Sequence, residues 1–241
     1  MNRRNIIDML KRVRSICTFY IAEQTPKHLE SIRNYELSMA INFLSPNGRL
    51  LELGAGTGWQ AQELHKLGYV VSAIDIPSSN YMSSRIYPVI DYDGKTIPFE
   101  NNTFDIVFSS NVLEHIAHIY EFQDEIHRVL KPGGVVVHIL PSSYWRFWSS
   151  LTEILKSWRP PLVHGEQARN VFEEIFYFSR YAWKRLFRKS GWEISKVQSA
   201  GLFYTGSSIM DSRLNISLRK KLSFILGSAC NIYVLKNNAK E

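Results

Sequence analysis

The segment Leu51-Glu52-Leu53-Gly54-Ala55-Gly56-Thr57-Gly58 restricts what this chain can become more than any other. An apolar run, Arg49–Leu53, leads into it, and a helical pattern over Thr57–Leu67 follows. Gly54 can take backbone angles closed to other residues. Gly56 lets the main chain approach a ligand, and Gly58 permits tight packing where the helix begins. Free N–H groups at that helix start attract negative charge, such as a carboxylate.

The spacing narrows the ligand. It is G-x-G-x-G, and Trp59 stands where the dinucleotide fingerprint needs a glycine, which argues against a nicotinamide oxidoreductase. No lysine follows, so the turn is not a phosphate-binding P-loop. Glu52 at the strand end suits a cationic ammonium and would repel a pyrophosphate. Asp75 comes 21 residues after Gly54, at the end of the next strand, Tyr69–Ile74. A carboxylate there can accept hydrogen bonds from both hydroxyls of a ribose.

Beyond the turn, strands alternate with helices. Tyr87–Asp91, Asp105–Ser109, Val135–Leu140, Trp192–Val197 and Ile232–Leu235 read as strands, Ile119–Leu130 and Ser179–Ser190 as helices. Such alternation predicts an α/β fold, a mostly parallel sheet with helices on both faces and its strand C-termini on one edge. All 241 residues read as one domain. Residues 1–45 are N-terminal helices, 46–140 the ligand-binding core, and 179–241 the rest of the sheet. Residues 141–178 break the alternation and read as an aromatic-rich lid over the C-terminal edge. Within it Trp145, Trp148, Leu155 and Trp158 are expected to form one helical stripe, with Arg146, Lys156 and Arg159 off it. That stripe suits a membrane interface, an apolar or sugar-like acceptor, or plain packing.

Two cysteines, Cys17 and Cys230, supply neither a disulfide framework nor metal spacing, which fits a reducing compartment. The charged N-terminal stretch lacks the apolar core of a signal peptide. No run approaches the roughly 18 apolar residues of a membrane span. The expectation is a cytoplasmic protein, with peripheral contact on the inner face of a membrane as a further reading. A net charge of +7 permits nucleic acid, anionic lipid or acidic substrates and selects none.

With these residues in place, the chain resembles the class I S-adenosylmethionine-dependent methyltransferases, above all the small domains related to ubiquinone-biosynthesis enzymes. Further carriers are Tyr92-Asp93-Gly94-Lys95-Thr96-Ile97-Pro98-Phe99 and the run from Phe104 through Ser109-Ser110-Asn111-Val112-Leu113-Glu114-His115. Arg128-Val129-Leu130-Lys131-Pro132-Gly133-Gly134 completes the set. Residues 35–140 carry the likeness well, 179–236 loosely. The resemblance implies a Rossmann-like seven-stranded sheet whose last strand is antiparallel, and S-adenosylmethionine as cofactor. It implies that Glu52, Gly54, Ala55, Gly56 and Gly58 hold the methionine part. Asp75, with Ile76 beside it, would bind the ribose, and Asp93 with Gly94 would meet the adenine. Asn111 would lie near the methionine end. Relatives that methylate exocyclic amines carry Asn/Asp-Pro-Pro-Tyr/Phe after the fourth strand. Ser109-Ser110-Asn111-Val112 departs from this and argues against that amine chemistry. The segments His164-Gly165-Glu166…Asn170…Glu173-Glu174 and Ser179…Trp183…Phe187…Gly191-Trp192 resemble methyltransferases encoded among surface-polysaccharide genes, which implies a saccharide or lipid-linked saccharide acceptor.

A hydroxyl acceptor is helped by a general base. His115 and His164, the latter near Glu166, are the expected catalytic residues, although packing, capping and loop positions use histidine equally well. His115 and His118 sit three apart without a third ligand at suitable spacing, so no metal is expected. The competing readings are methylation of a macromolecule, RNA or protein, and a non-catalytic cofactor-binding member of the fold. A small molecule or saccharide is the expected partner, and nucleic acid is not.

Overall fold

The apolar run before the glycine turn is a strand because both of its faces are covered. Leu50, Leu51 and Leu53 are all fully buried, and a strand buried on both sides needs no polar alternation. The computed structural model describes residues 9, 21–22, 26–206, 208–209 and 214–237. In chain order its elements begin with β1 (Ile21–Ala22), α1 (Pro26–Ala40), β2 (Arg49–Leu53), α2 (Trp59–Lys66), β3 (Val70–Asp75) and β4 (Val89–Asp91). Then come β5 (Phe104–Ser110), α3 (Ile119–Val129), β6 (Leu130–Pro141), α4 (Ser143–Ser157), α5 (Val171–Tyr177) and α6 (Arg180–Lys189). The remainder is β7 (Trp192–Ser199), β8 (Ser208–Ile209), α7 (Ile216–Leu226) and β9 (Cys230–Asn237).

Seven strands form one sheet in the order β4-β3-β2-β5-β6-β9-β7. Strands β2 to β6 pair in parallel, and β9 runs antiparallel to both β6 and β7. β9 alone is therefore reversed, as the resemblance implied. β1 and β8 make a separate antiparallel pair.

Side chains that alternate along the strands feed two cores. Leu51, Leu53, Val107 and Val136 pack with Ile119, Phe122 and Ile126 of α3 and with Trp183 and Phe187 of α6. Leu50, Ile106, Phe108 and Val137 pack with Ile32, Leu37 and Ala40 of α1 and with Leu64 of α2. Helices thus cover both faces, and the carboxyl ends of the parallel strands share one open edge. Of the expected N-terminal helices, α1 accounts for the second. The first, through Ile6 to Cys17, lies outside the described residues apart from Met9, which is helical.

The insertion is more regular than expected. Ser142 caps α4 by accepting the Trp145 N–H, and Asn170 caps α5 by accepting the Glu173 N–H. The stripe expected on α4 is corrected. Trp145, Trp148 and Leu155 are half-buried, and Arg146, expected off the stripe, is buried. A buried ion pair between Arg146 and Glu174 of α5 turns the helix this way. The outward apolar face consists instead of Tyr144, Phe147, Leu151 and Ile154, continued by Trp158, which ends the helix at φ 57°.

Candidate functional site

Gly54, Gly56 and Gly58 all have positive φ, at 64°, 56° and 76°. At Gly54 a Cβ atom would stand 2.5 Å from Val112 Cγ2, so only glycine lets the turn lie against the end of β5. The turn is also fastened to β3. The Ala55 N–H donates to the Ile74 carbonyl at 3.0 Å, and the Gly56 N–H donates to Asp75 Oδ2 at 2.9 Å. Asp75 Oδ1 accepts the N–H of Ile76 at 2.8 Å. Two strand ends therefore share one carboxylate.

Against this turn lies a cleft of about 370 Å³. Trp59 and Gln60 of α2, Ser110 at the end of β5, Asn111 just past it, and Tyr81 wall it, and α1 contributes Leu29, Glu30 and Arg33. Asn111 holds a left-handed conformation, φ 56°, fixed by its N–H bond to the Ile139 carbonyl at 2.8 Å. Arg33 bonds Glu36 Oε2 at 2.7 Å, and Glu36 Oε1 in turn accepts from the Tyr204 hydroxyl at 2.7 Å. Burial works against the Arg33 charge, but Tyr204 and Glu36 keep it protonated.

Glu52 lies behind the turn, buried, with Oε2 lacking any partner. Burial pushes its carboxyl up to about 8, and the neighbouring Asp75 charge adds to the shift. The edge continues past Asp75. The Tyr92 N–H donates to the Asp75 carbonyl at 3.1 Å, and Ile76 packs on Gly94, where a Cβ would meet Ile76 Cγ2 at 3.1 Å. Asp93 Oδ1 accepts the N–H groups of Lys95 and Thr96, each at 2.8 Å, and these bonds hold its carboxyl below the usual range.

On the other side of Asn111 a short 3-10 turn, Leu113–His115, meets the insertion. The Glu166 N–H donates to the Glu114 carbonyl at 2.8 Å. Glu174 Oε1 accepts the N–H groups of His164 and Gly165, at 2.7 and 2.5 Å. The His115 and His164 rings meet edge to face with centroids 4.7 Å apart, and Trp145 lies 4.8 Å from His164. Partial desolvation lowers the affinity of both imidazoles for a proton, that of His164 to about 4 with help from His115 and Arg146, although both side chains stay exposed at one side. Beneath them the Glu114 carboxyl is fully buried and is pushed up to about 8 by desolvation. His118 goes elsewhere, with Nε2 3.0 Å from the Gly94 carbonyl.

A family model described as a methyltransferase domain matches residues 29–197, from α1 to β7. The chain belongs to this methyltransferase family. A ubiquinone biosynthesis O-methyltransferase from Bartonella tribocorum is 26% identical over 129 residues, 49% of this chain and 52% of that protein. A demethylmenaquinone methyltransferase from Corynebacterium urealyticum is 38% identical over 93 residues, 38% of this chain and 40% of that protein. The chain thus spans about half the length, or less, of these curated relatives. A solved S-adenosylmethionine-dependent methyltransferase from Mesorhizobium loti superposes with a TM-score of 0.59 at 16% identity, covering 84% of this chain and 98% of that one. That likeness is one of fold.

S-adenosylmethionine is the cofactor of such methyltransferases, and the residues here fit it. The bare turn accommodates close approach, Asp75 offers a carboxylate for the ribose, and Arg33 offers a guanidinium for the methionine carboxylate. Gly54, Ala55, Gly56 and Asn111 line the open cleft, while Asp75, Ile76, Asp93 and Gly94 lie outside its lining, tied to the turn through Asp75 and to one another through the Ile76–Gly94 contact. Gly58 starts α2, and Glu52 backs the turn. Arg33 and Tyr81 are additions that sequence reasoning missed. Arg33 reads as the polar face of an ordinary helix, and nothing in helical spacing shows that α1 crosses the sheet edge.

Proposed function

We propose that this methyltransferase transfers the methyl group of S-adenosylmethionine to a hydroxyl of a small molecule or saccharide. The observation that carries the reading is the pairing of His115 with His164 over Glu114, three to four residues beyond Asn111 in the cleft wall and roofed by the insertion. The cofactor supplies an activated methyl group on a sulfonium. The chain must align an oxygen with it, exclude water and dispose of one proton. Alignment of this kind is worth about 7–11 kcal/mol in intramolecular reactions. The histidine pair is where the proton is withdrawn. Trp145, against His164, offers an aromatic wall to the acceptor. Support for an oxygen acceptor also comes from Ser109-Ser110-Asn111-Val112, which lacks the amine-methylating pattern, and from the relative named as an O-methyltransferase.

The reading includes peripheral contact with a membrane, where a lipid-linked saccharide would be met. The outward face of α4 supports it, as do Phe224 and Ile225 at the end of α7, which share a cavity with Tyr144. Among the described residues no helix is long and apolar enough to cross a membrane.

The test is methyl transfer from labelled donor to cell extracts and defined glycans. An O-methyl product is expected. His164→Ala should lower its rate roughly 10²–10⁴-fold, the usual range for a lost proton-transfer group, with cofactor affinity held within twofold. Methylation only at nitrogen would refute the hydroxyl assignment.

A further inference from the structure

We propose that Glu114, His115 and His164 bind one divalent transition-metal cation at the acceptor side of the cleft. One ligand atom from each lies within 4.8 Å of the other two. Two imidazoles and a carboxylate favour Zn²⁺, Co²⁺ or Mn²⁺ over Ca²⁺. Glu114 is the deciding ligand. It is fully buried, and neither carboxylate oxygen meets a donor from another residue. His115 Nε2 stands 3.9 Å from its Oε1, beyond hydrogen-bond reach. A buried carboxylate is ordinarily paired or metal-bound.

The surrounding charge has the right sign. Glu166 and Glu174 favour positive charge at His115, and Arg146, which opposes it at His164, is itself paired with Glu174, as Arg33 is with Glu36. The backbone is built to bring the loop in. At Gly165 a Cβ would stand 2.6 Å from the Glu114 carbonyl oxygen, so only glycine lets His164 come this close. A tetrahedral cation with bonds of about 2.0–2.1 Å sets its ligands about 3.3 Å apart. The exposed imidazoles therefore need to close in by roughly 1.5 Å, within reach of side-chain rotation.

Binding of the cation is independent of the acceptor; its use rests on the methyl-transfer reading above. With the cation bound, the two imidazoles serve as its ligands in place of acting as bases: a hydroxyl on the cation loses its proton to water, and its oxygen forms the new O–C bond. The C–S bond breaks with its electron pair left on sulfur. This gives the methyl ether, S-adenosylhomocysteine and one proton.

The experiment is Co²⁺ titration of the untagged, metal-free protein, followed by visible absorption. One equivalent should produce a d–d band that Zn²⁺ abolishes. The apparent affinity should fall at least tenfold in Glu114→Gln and in His164→Ala. The second removes an exposed side chain, and circular dichroism checks both for folding. Cobalt bound no more tightly by the wild type than by a His115→Ala/His164→Ala variant overturns the proposal. Methyl transfer that persists under chelation, with no cobalt band, overturns it while leaving the enzyme reading intact. A cobalt band without methyl transfer supports the site and counts against that reading.

Discussion

Asp75 joins the ends of β2 and β3 by accepting the Gly56 N–H, and the resemblance assigns the ribose to the same carboxylate. Charge-assisted hydrogen bonds contribute about 1.5–3 kcal/mol each. Asp75→Ala should therefore weaken S-adenosylmethionine binding at least about 100-fold in calorimetry, and affinity within threefold of wild type would remove Asp75 from the site. Glu52 yields a prediction about pH. Its carboxyl is raised from 4.5 to about 8, so between these values the folded state binds more protons than the unfolded one. The associated stability is complete below pH 4.5 and lost by about pH 8. Glu52→Gln mimics the protonated form at every pH. The variant should match wild type near pH 4.5 and melt at a progressively higher temperature than wild type up to about pH 8. Parallel melting curves across that range would contradict the assignment. These two carboxylates were legible because each stands at a strand end beside a glycine turn. Arg33 was not, since its role depends on where a distant helix lands.

At the scale of elements, the insertion is held by its own ion pair. Arg146 of α4 and Glu174 of α5 are both buried and linked, and Arg146 Nη2 also donates to the Leu162 carbonyl. Removing one partner leaves a buried charge and costs about 3–5 kcal/mol. Glu174→Gln should lower the melting temperature by roughly 6 °C or more for a chain of this length, and trypsin should cut sooner at Arg169, whereas Arg159, followed by Pro160, stays resistant. Arg146→Met combined with Glu174→Leu should recover most of the loss; a double variant as unstable as the single would refute pairing as the cause. The strands of the core were readable because double-sided burial produces unbroken apolar runs. α5, with seven residues, and α7, with Lys220 and Lys221 amid its apolar positions, leave no comparable periodic signal.

For the whole molecule, charge and apolar surface converge on one side. Phe224 and Ile225 are 89% and 83% exposed, Lys220 and Lys221 precede them on α7, and the outward face of α4 adjoins them through Tyr144. The protein should co-sediment with vesicles rich in anionic lipid, less with neutral ones, and a Phe224→Ser/Ile225→Ser variant should lose most of that binding. Equal recovery with and without vesicles would rule the contact out. The sequence alone determined the alternating sheet, the glycine turn and the carboxylates at its strand ends, because apolar period and backbone permissiveness are local properties. Only the tertiary structure decided which face of α4 is buried, that Arg33 reaches the cleft, and that His164 meets His115 over Glu114. Those meetings join residues dozens of positions apart, and packing between elements, which leaves no periodic trace in a single chain, selects among them.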